Sequence, residues 1–272
     1  MAKPASVAPS QTERLYSLRE SLQAGSASFG AWQCLPSSLS AEILARSGFD
    51  WILIDLQHGG ASWSDLLSIL QAVELGGALP IVRLGWNDPM QAMRALDLGA
   101  CGVVIPMIST PDDAQLGVSG CRYPPDGIRS FGPTRSFYAT RQLNNTGLCL
   151  AMIETKEGLD NVDAIAATPG IDGLFVGTMD LALSLGCGLV AGVNETLLAA
   201  VDQVVAACVR HEKIPGCVAI GDGTAEQLLA HGMRFLAVGS DIGYLESGAK
   251  LDAQRAAAWK TGAAASGSSP DS

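Results

Sequence analysis

Eight short apolar segments divide the chain, and each has the length of a β-strand buried in a parallel sheet. They span residues 29–35, 51–58, 79–84, 102–108, 148–155, 172–178, 214–220 and 234–241. Stretches between them carry apolar residues at the three-to-four spacing of a helix, and several end in glycine. These helical stretches include 38–48, 63–77, 88–100, 110–121 and 224–233. Alternation of eight strands with helices predicts a single closed (β/α)8 TIM barrel, with an open doubly wound sheet as the alternative.

A single domain accounts for the whole pattern. One junction, a helix end followed by a short turn into a strand, recurs along the chain, as in SGFDWILI and PGIDGLFV. We therefore predict a barrel over residues 15–260, a flexible N-terminus over 1–14 and a disordered tail over 261–272. The tail has the low-complexity sequence TGAAASGSSPDS.

Composition narrows the functional classes. The chain has 27 acidic and 17 basic residues, a net charge of −10, and its basic residues are scattered. We therefore predict no nucleic-acid partner. The N-terminus lacks a signal-peptide core and no stretch of about 18 apolar residues occurs, which predicts a cytoplasmic protein without a membrane partner. The seven cysteines form no C-x-x-C pair, which argues against a disulfide framework or a zinc ribbon.

Two carboxylates mark the ends of predicted strands. Glu154 lies at the end of the fifth apolar segment, and Asp180 closely follows the sixth. The C-terminal strand ends of a (β/α)8 barrel meet at one mouth, and carboxylates are the ligands that Mg²⁺ or Mn²⁺ prefers. The pair therefore predicts a metal site. As structural alternatives, Glu154 could pair with Lys156 or Arg83, and Asp180 could cap the following helix.

Two further side chains at the same mouth are candidates for catalysis. His58 ends the second segment, and histidine is the natural acid/base group near neutral pH. Arg83 ends an apolar segment, where its permanent charge needs a carboxylate or an anionic ligand. It could bind Glu154, or it could stabilise an enolate or a substrate carboxylate. Gln57 and Asp241 are other polar residues predicted at this mouth.

One connection is unusually long. Residues 121–145 are rich in proline, glycine, arginine and aromatic residues and come after the fourth strand. We interpret this connection as a binding loop or lid at the C-terminal face. The alternative is a plain insertion that packs on a neighbour.

Several motifs, in this order along the chain, resemble one known family. They are FDWILIDLQHG, PIVRLGWNDPMQAMRALDLGA, VVIPMI, CRYPPDGIRS, MIETKEGLDN and IDGLFVGTMDLALSLG. They are similar to the HpcH/HpaI-type class II, metal-dependent pyruvate aldolases, and the resemblance extends from about residue 15 to about residue 260. It implies a (β/α)8 barrel whose last helix is exchanged with a neighbouring subunit, in a homo-oligomer that is a trimer of dimers, a hexamer.

The resemblance also implies roles for particular residues. Glu154 and Asp180 would ligate a divalent Mg²⁺, Mn²⁺ or Co²⁺ ion, and His58 would serve the acid/base step. Arg83 would bind the keto oxygen and stabilise the enolate, and Asp97 would pair with the histidine of an adjacent subunit. The backbone that holds the substrate carboxylate would be that of Gly177, Thr178 and Met179.

Three positions depart from the family pattern. Gln57 replaces the usual glutamate before the histidine, Met152 replaces a glutamine that touches the 2-oxo acid, and Thr178 replaces a proline. These changes leave the expected metal ligands and base in place. Because of them, the resemblance does not define which substrate is preferred.

The expected activity is reversible aldol cleavage of a 4-hydroxy-2-oxo acid to pyruvate and an aldehyde, through a metal-stabilised enolate. A second enzymatic hypothesis is an oxaloacetate decarboxylase or a macrophomate-synthase-like enolate-coupling enzyme. A third is an acyl-CoA lyase or thioesterase of the citrate lyase β type. Binding of the nucleotide would need a basic patch, whereas the arginines of this chain are scattered. A non-catalytic metabolite-binding barrel is the alternative outside enzymes.

Overall fold

The computed structural model describes residues 9–132, 135–140, 145–188, 192–221 and 223–260, and within them a closed barrel of eight parallel strands follows chain order. The strands are β1 (Ser28–Gln33), β2 (Trp51–Asp55), β3 (Leu79–Arg83), β4 (Gly102–Ile105), β5 (Leu148–Ile153), β6 (Gly173–Val176), β7 (Ile214–Val218) and β8 (Phe235–Ser240). Every strand overlaps its predicted segment. The predicted (β/α)8 barrel is confirmed, and the open sheet is excluded because β1 also pairs with β8.

Helices connect successive strands, one further helix precedes β1, and another follows β8. They are α1 (Gln11–Gln23), α2 (Ser38–Arg46), α3 (Trp63–Gly76), α4 (Pro89–Asp97), α5 (Pro111–Cys121), α6 (Arg135–Thr140), α7 (Lys156–Asp160), α8 (Val162–Ala166), α9 (Thr178–Ser184), α10 (Glu195–Arg210), α11 (Thr224–Ala230) and α12 (Asp241–Lys260). Helix α1 begins at Gln11, inside the segment 1–14. Residues 1–8 and the predicted tail 261–272 lie outside the described residues.

Two apolar layers hold the barrel together. Side chains that point inward fill its lumen, where the rings of Trp51 and Phe235 stack with their centroids 3.9 Å apart. Leucines of α1 belong to this inner cluster, so α1 closes the N-terminal end of the barrel. The alternate side chains of the strands point outward and pack against the helices, and for this reason each strand reads as a continuous apolar run.

The carboxylate of Asp241 fastens the seam where the last strand meets the first. Its two oxygens accept hydrogen bonds from the backbone N–H groups of Cys34 and Leu35, each at 2.9 Å. Asp241 is buried, and these bonds join the exit of β8 to the exit of β1. We expected this residue among the polar side chains of the mouth, whereas its carboxylate is engaged by backbone groups.

The last helix does not fold back along the barrel. Asp241 is the only buried residue among the 20 residues of α12, although the helix carries exposed Tyr244, Leu245, Leu251 and Trp259. An apolar groove of about 670 Å³ lies between α12 and α2. None of the helices in the described part of the chain is long and apolar enough to cross a membrane.

The described residues of the long connection over 121–145 do not lie at the C-terminal mouth. Helix α5 follows β4 and ends at Cys121, so the connection runs from the end of a helix to the start of β5. In a (β/α)8 barrel such connections lie at the N-terminal end. The prediction of a loop or lid at the C-terminal face is therefore wrong, because α5 has already carried the chain back across the barrel. Residues 133–134 and 141–144 lie outside the described residues.

Candidate active site

Arg83 reaches the C-terminal mouth on β3, and a buried carboxylate on the neighbouring strand holds it. Its Nε and Nη2 donate to the two carboxylate oxygens of Asp55, at 2.9 and 2.6 Å. The guanidinium lies 4.8 Å from the ring centroid of Trp32, whose indole N–H donates to Asp55 at 3.1 Å. The suggested pairing of Arg83 with Glu154 is therefore wrong. The paired guanidinium has one fixed orientation, with Nη1 left outside the ion pair.

Asp55 also shapes the turn that leads to His58. Its Oδ1 accepts hydrogen bonds from the backbone N–H groups of Gln57 at 2.9 Å and His58 at 3.3 Å. Burial raises the pKa of Asp55, but the hydrogen bonds and charge of Arg83 outweigh it, and the net pKa is lowered. The imidazole of His58 is exposed at the rim of the mouth. One ionised carboxylate thus positions both the arginine and the histidine.

Glu154 lies just beyond β5 and is 2% exposed. Its Oε2 accepts a hydrogen bond of 2.8 Å from the backbone N–H of Met107, in the loop after β4. Burial raises the pKa of Glu154 to about 7, and the neighbouring Asp180 adds to this effect, while the Met107 bond opposes it. Gly177 makes room for the carboxylate, because a Cβ there would lie 2.6 Å from Cγ of Glu154. The other proposed partner, Lys156, forms an ion pair with Asp160 instead.

The predicted site residues other than Asp97 and Glu154 line one cavity of about 310 Å³ at the mouth, and Glu154 lies against Gly177 of its lining. The cavity is lined by Trp32, Cys34, His58, Arg83, Met152, Gly177, Thr178, Met179, Asp180, Val218, Ile220 and Ser240. Asp180 lies in the first turn of α9, where a carboxylate also favours the helix. In the described ranges, no group of three or more His, Cys, Asp or Glu side chains is placed to hold a metal. The protein ligands of a cation here would be two carboxylates.

Asp97 lies elsewhere. It is the last residue of α4, and therefore lies at the N-terminal end of the barrel, where Nη2 of Arg129 donates to it at 2.8 Å. Within one chain the structure does not bring Asp97 to His58, and their pairing between subunits stays a prediction. Arg122 and Arg135 form ion pairs at this same end, with Asp172 and Glu74 respectively. Arg122, Arg129 and Arg135 are thus engaged away from the mouth.

Asp55 and Trp32 were not among the predicted site residues. Both lie in apolar strands, and neither ends its predicted segment. A signal was present, because Asp55 precedes His58 by three residues and lies across from Arg83 in the β2–β3 register. A buried arginine requires such a carboxylate partner.

The fold and this cluster define a (β/α)8 enzyme whose chemistry is placed at the C-terminal mouth of the barrel. The family model described as HpcH/HpaI aldolase/citrate lyase matches residues 28–247. The chain belongs to this family.

Named relatives cover nearly the whole chain. This chain is 36% identical over 238 residues to 5-keto-4-deoxy-D-glucarate aldolase of Escherichia coli K12, and the match covers 84% of this chain and 92% of that protein. It is 37% identical over 260 residues to 4-hydroxy-2-oxo-heptane-1,7-dioate aldolase of Salmonella paratyphi A, covering 92% and 97%. A crystal structure of an HpcH/HpaI aldolase/citrate lyase family protein from Burkholderia cenocepacia J2315 superposes with a TM-score of 0.81. Its sequence identity is 33%, and the match covers 88% of this chain and 98% of that one.

Proposed function

We propose that this chain is a divalent-metal-dependent aldolase that reversibly cleaves a 4-hydroxy-2-oxo acid to pyruvate and an aldehyde. Family membership and 36–37% identity to two named aldolases support a class II aldolase, which is a carbon–carbon lyase. The observation that carries the proposal is the meeting of Arg83, His58, Glu154 and Asp180 at one mouth of the barrel.

Glu154 and Asp180 would hold the cation. Burial, and then the neighbouring carboxylate of Asp180, raise the pKa of Glu154, and a bound cation would offset both effects. Oxygen ligands suit Mg²⁺, Mn²⁺ or Co²⁺. When bound, such a cation supplies a Lewis acid that polarises the keto group of a 2-oxo acid.

Arg83 would stabilise the negative charge that develops on the keto oxygen. Asp55 and Trp32 already fix its guanidinium, so little reorganisation accompanies the reaction. Nη1 lies outside the ion pair and is the nitrogen that we assign to the substrate. Gly177, Thr178 and Met179 would line the substrate carboxylate on the β6 side of the cavity.

His58 would handle the proton of the aldol step. In the cleavage direction it accepts the proton of the 4-hydroxyl group while the C3–C4 bond breaks. The electron pair of that bond passes into the enolate, and the C4 oxygen becomes the aldehyde carbonyl. Protonation of C3 then gives pyruvate. Asp97 of a second copy would orient the imidazole, as the resemblance implies.

The exposed apolar residues of α12 support a homo-oligomer in which this helix packs on a second copy. Exposure of Leu251 and Trp259 to water is costly, and a neighbouring barrel offers the apolar groove beside α2. Light scattering after size exclusion should give a hexamer for the natural chain. A smaller assembly is expected for Leu251→Glu combined with Trp259→Glu.

A pyruvate-release screen over 4-hydroxy-2-oxo acids, coupled to lactate dehydrogenase, tests the activity. Turnover should require Mg²⁺, Mn²⁺ or Co²⁺ and should stop with EDTA. Glu154→Ala and His58→Ala should each lose at least about 100-fold in kcat/KM. Glu157→Ala, an exposed carboxylate three residues from Glu154, is the matched control and should retain full activity.

Two outcomes would redirect the proposal. Full rate and full metal dependence in Glu154→Ala would show that the metal site lies elsewhere. Decarboxylation of oxaloacetate, with no cleavage of any 4-hydroxy-2-oxo acid, would replace the aldolase by a decarboxylase that uses the same enolate chemistry.

A further inference from the structure

The backbone of Met107 is in the left-handed region, with φ of 58°. A residue with a Cβ rarely adopts this conformation, which is strained unless the surrounding structure imposes it. Its backbone N–H donates a hydrogen bond of 2.8 Å to Oε2 of Glu154. The residue with the strained backbone is therefore the one that hydrogen-bonds a candidate metal ligand.

Neighbouring contacts hold this strained turn in place. The N–H of Ile108 donates to the carbonyl of Met152, at 3.2 Å, and Oγ of Ser109 lies 2.8 Å from Oγ1 of Thr155. The side-chain amide of Asn161 donates to the carbonyl of Ser109 at 2.9 Å. These contacts pin the loop after β4 to β5 and its following helices. A loop held at three points can maintain a conformation that its own residue disfavours.

The two oxygens of Glu154 are consequently in different surroundings. Oε2 is bound to the loop after β4, whereas a Cβ at Gly177 would lie 2.8 Å from Oε1, on the side of β6 and Asp180. A carboxylate held on one side and closely bordered on the other has little freedom to rotate. Oε1 is the oxygen left outside the loop contact.

We propose that Met107 is a positioning residue for the metal site: its left-handed backbone, not its side chain, directs the N–H that orients Glu154. The inference rests on the proposed function, because it requires that Glu154 is a metal ligand. Groups that orient a metal ligand typically contribute about 10- to 100-fold in metal affinity. Met107 should contribute on this scale.

Binding of Mn²⁺ to the natural full-length chain, measured without substrate from the free-ion electron paramagnetic resonance signal, tests the proposal. Met107→Val should weaken binding by about 10- to 100-fold, because a β-branched residue resists the left-handed region. Met107→Gly and Met107→Asn tolerate that region, and Met107→Ala only removes the side chain, so all three should bind Mn²⁺ like the natural chain. Circular dichroism checks that each variant is folded.

Asn161→Ala tests the same proposal by a second route if Met107→Val does not fold. Loss of the bond to Ser109 loosens the loop and should weaken Mn²⁺ binding, but less so when Met107→Gly is also present, because glycine needs no support there. Natural affinity in Met107→Val and Asn161→Ala, or equal weakening in the Gly, Asn and Ala variants, would overturn the proposal alone. Absence of Mn²⁺ binding by the natural chain would instead overturn the metal site itself.

Discussion

Replacement of Asp55 by asparagine should destabilise the fold strongly. The side chains of Asp55 and Arg83 are 3% and 7% exposed, so the substitution leaves a buried guanidinium without its anion. Removal of one partner of a buried ion pair costs about 3–5 kcal/mol. At about 2–4 °C per kcal/mol for a chain of this size, Tm should fall by about 6–20 °C.

Thermal unfolding followed by circular dichroism, in EDTA at pH 7.5, measures this effect without a contribution from cation binding. Asp163→Asn is the matched control, because this carboxylate is exposed and pairs with Arg210 at the surface. It should leave Tm nearly unchanged. Addition of Arg83→Gln to Asp55→Asn should recover part of the lost stability, since it removes the unpaired charge.

The pH dependence gives a second check on the same pair. The pKa of Asp55 is lowered, although burial opposes this, because the hydrogen bonds and charge of Arg83 favour the carboxylate. Its stabilisation is therefore complete above about pH 4 and is lost as pH falls through the folded-state pKa. The reasoning would be refuted by a Tm loss no larger than that of Asp163→Asn, or by a Tm difference that stays constant down to about pH 2.

Three further predictions concern the mouth of the barrel. Gly177→Ala should weaken Mn²⁺ binding in isothermal titration calorimetry while the protein stays folded, because the new Cβ displaces the carboxylate of Glu154; unchanged affinity would contradict this geometry. His58→Asn should lower kcat by about 10²–10⁴-fold and leave Tm in place, since the imidazole is exposed. Mn²⁺ should raise Tm more at pH 8 than at pH 5.5, because burial and Asp180 raise the pKa of Glu154 to about 7. The stability from its protonated form is complete below about pH 4.5 and lost as pH rises through 7, so the cation must displace a proton at pH 5.5 but not at pH 8; equal shifts in a thermal melt would speak against it.

The barrel itself could be predicted because both faces of its strands are covered. Side chains such as Trp51 and Phe235 fill the lumen while their neighbours pack under helices, so no polar alternation interrupts the strands. Glu154 and Arg83 stand out against that background because each is a charge at the end of an apolar run. The same background concealed Asp55, which ends β2 but lies within the longer predicted segment 51–58, and which needs a partner from another strand to be recognised.

Other features could not be obtained from one chain read in order. The connection over residues 121–145 was placed at the wrong end of the barrel because its face depends on whether a helix precedes it. The left-handed turn at Met107 has no sequence signal, since the residue normally found at such turns is glycine or asparagine. Asp97 and His58 lie at opposite ends of the chain's own barrel, so only an assembly could join them.

The seam at Asp241 bears on the order in which this barrel can form during synthesis. The pairs that close it join residues 28–32 to residues 235–240, and the carboxylate of Asp241, which links the two strand ends, comes one residue later. A nascent chain therefore presents β1 as an open sheet edge until β8 has left the ribosome. Closure of the barrel should be a late, single event, and chains stalled before Ser240 should remain as sensitive to protease as an unfolded chain.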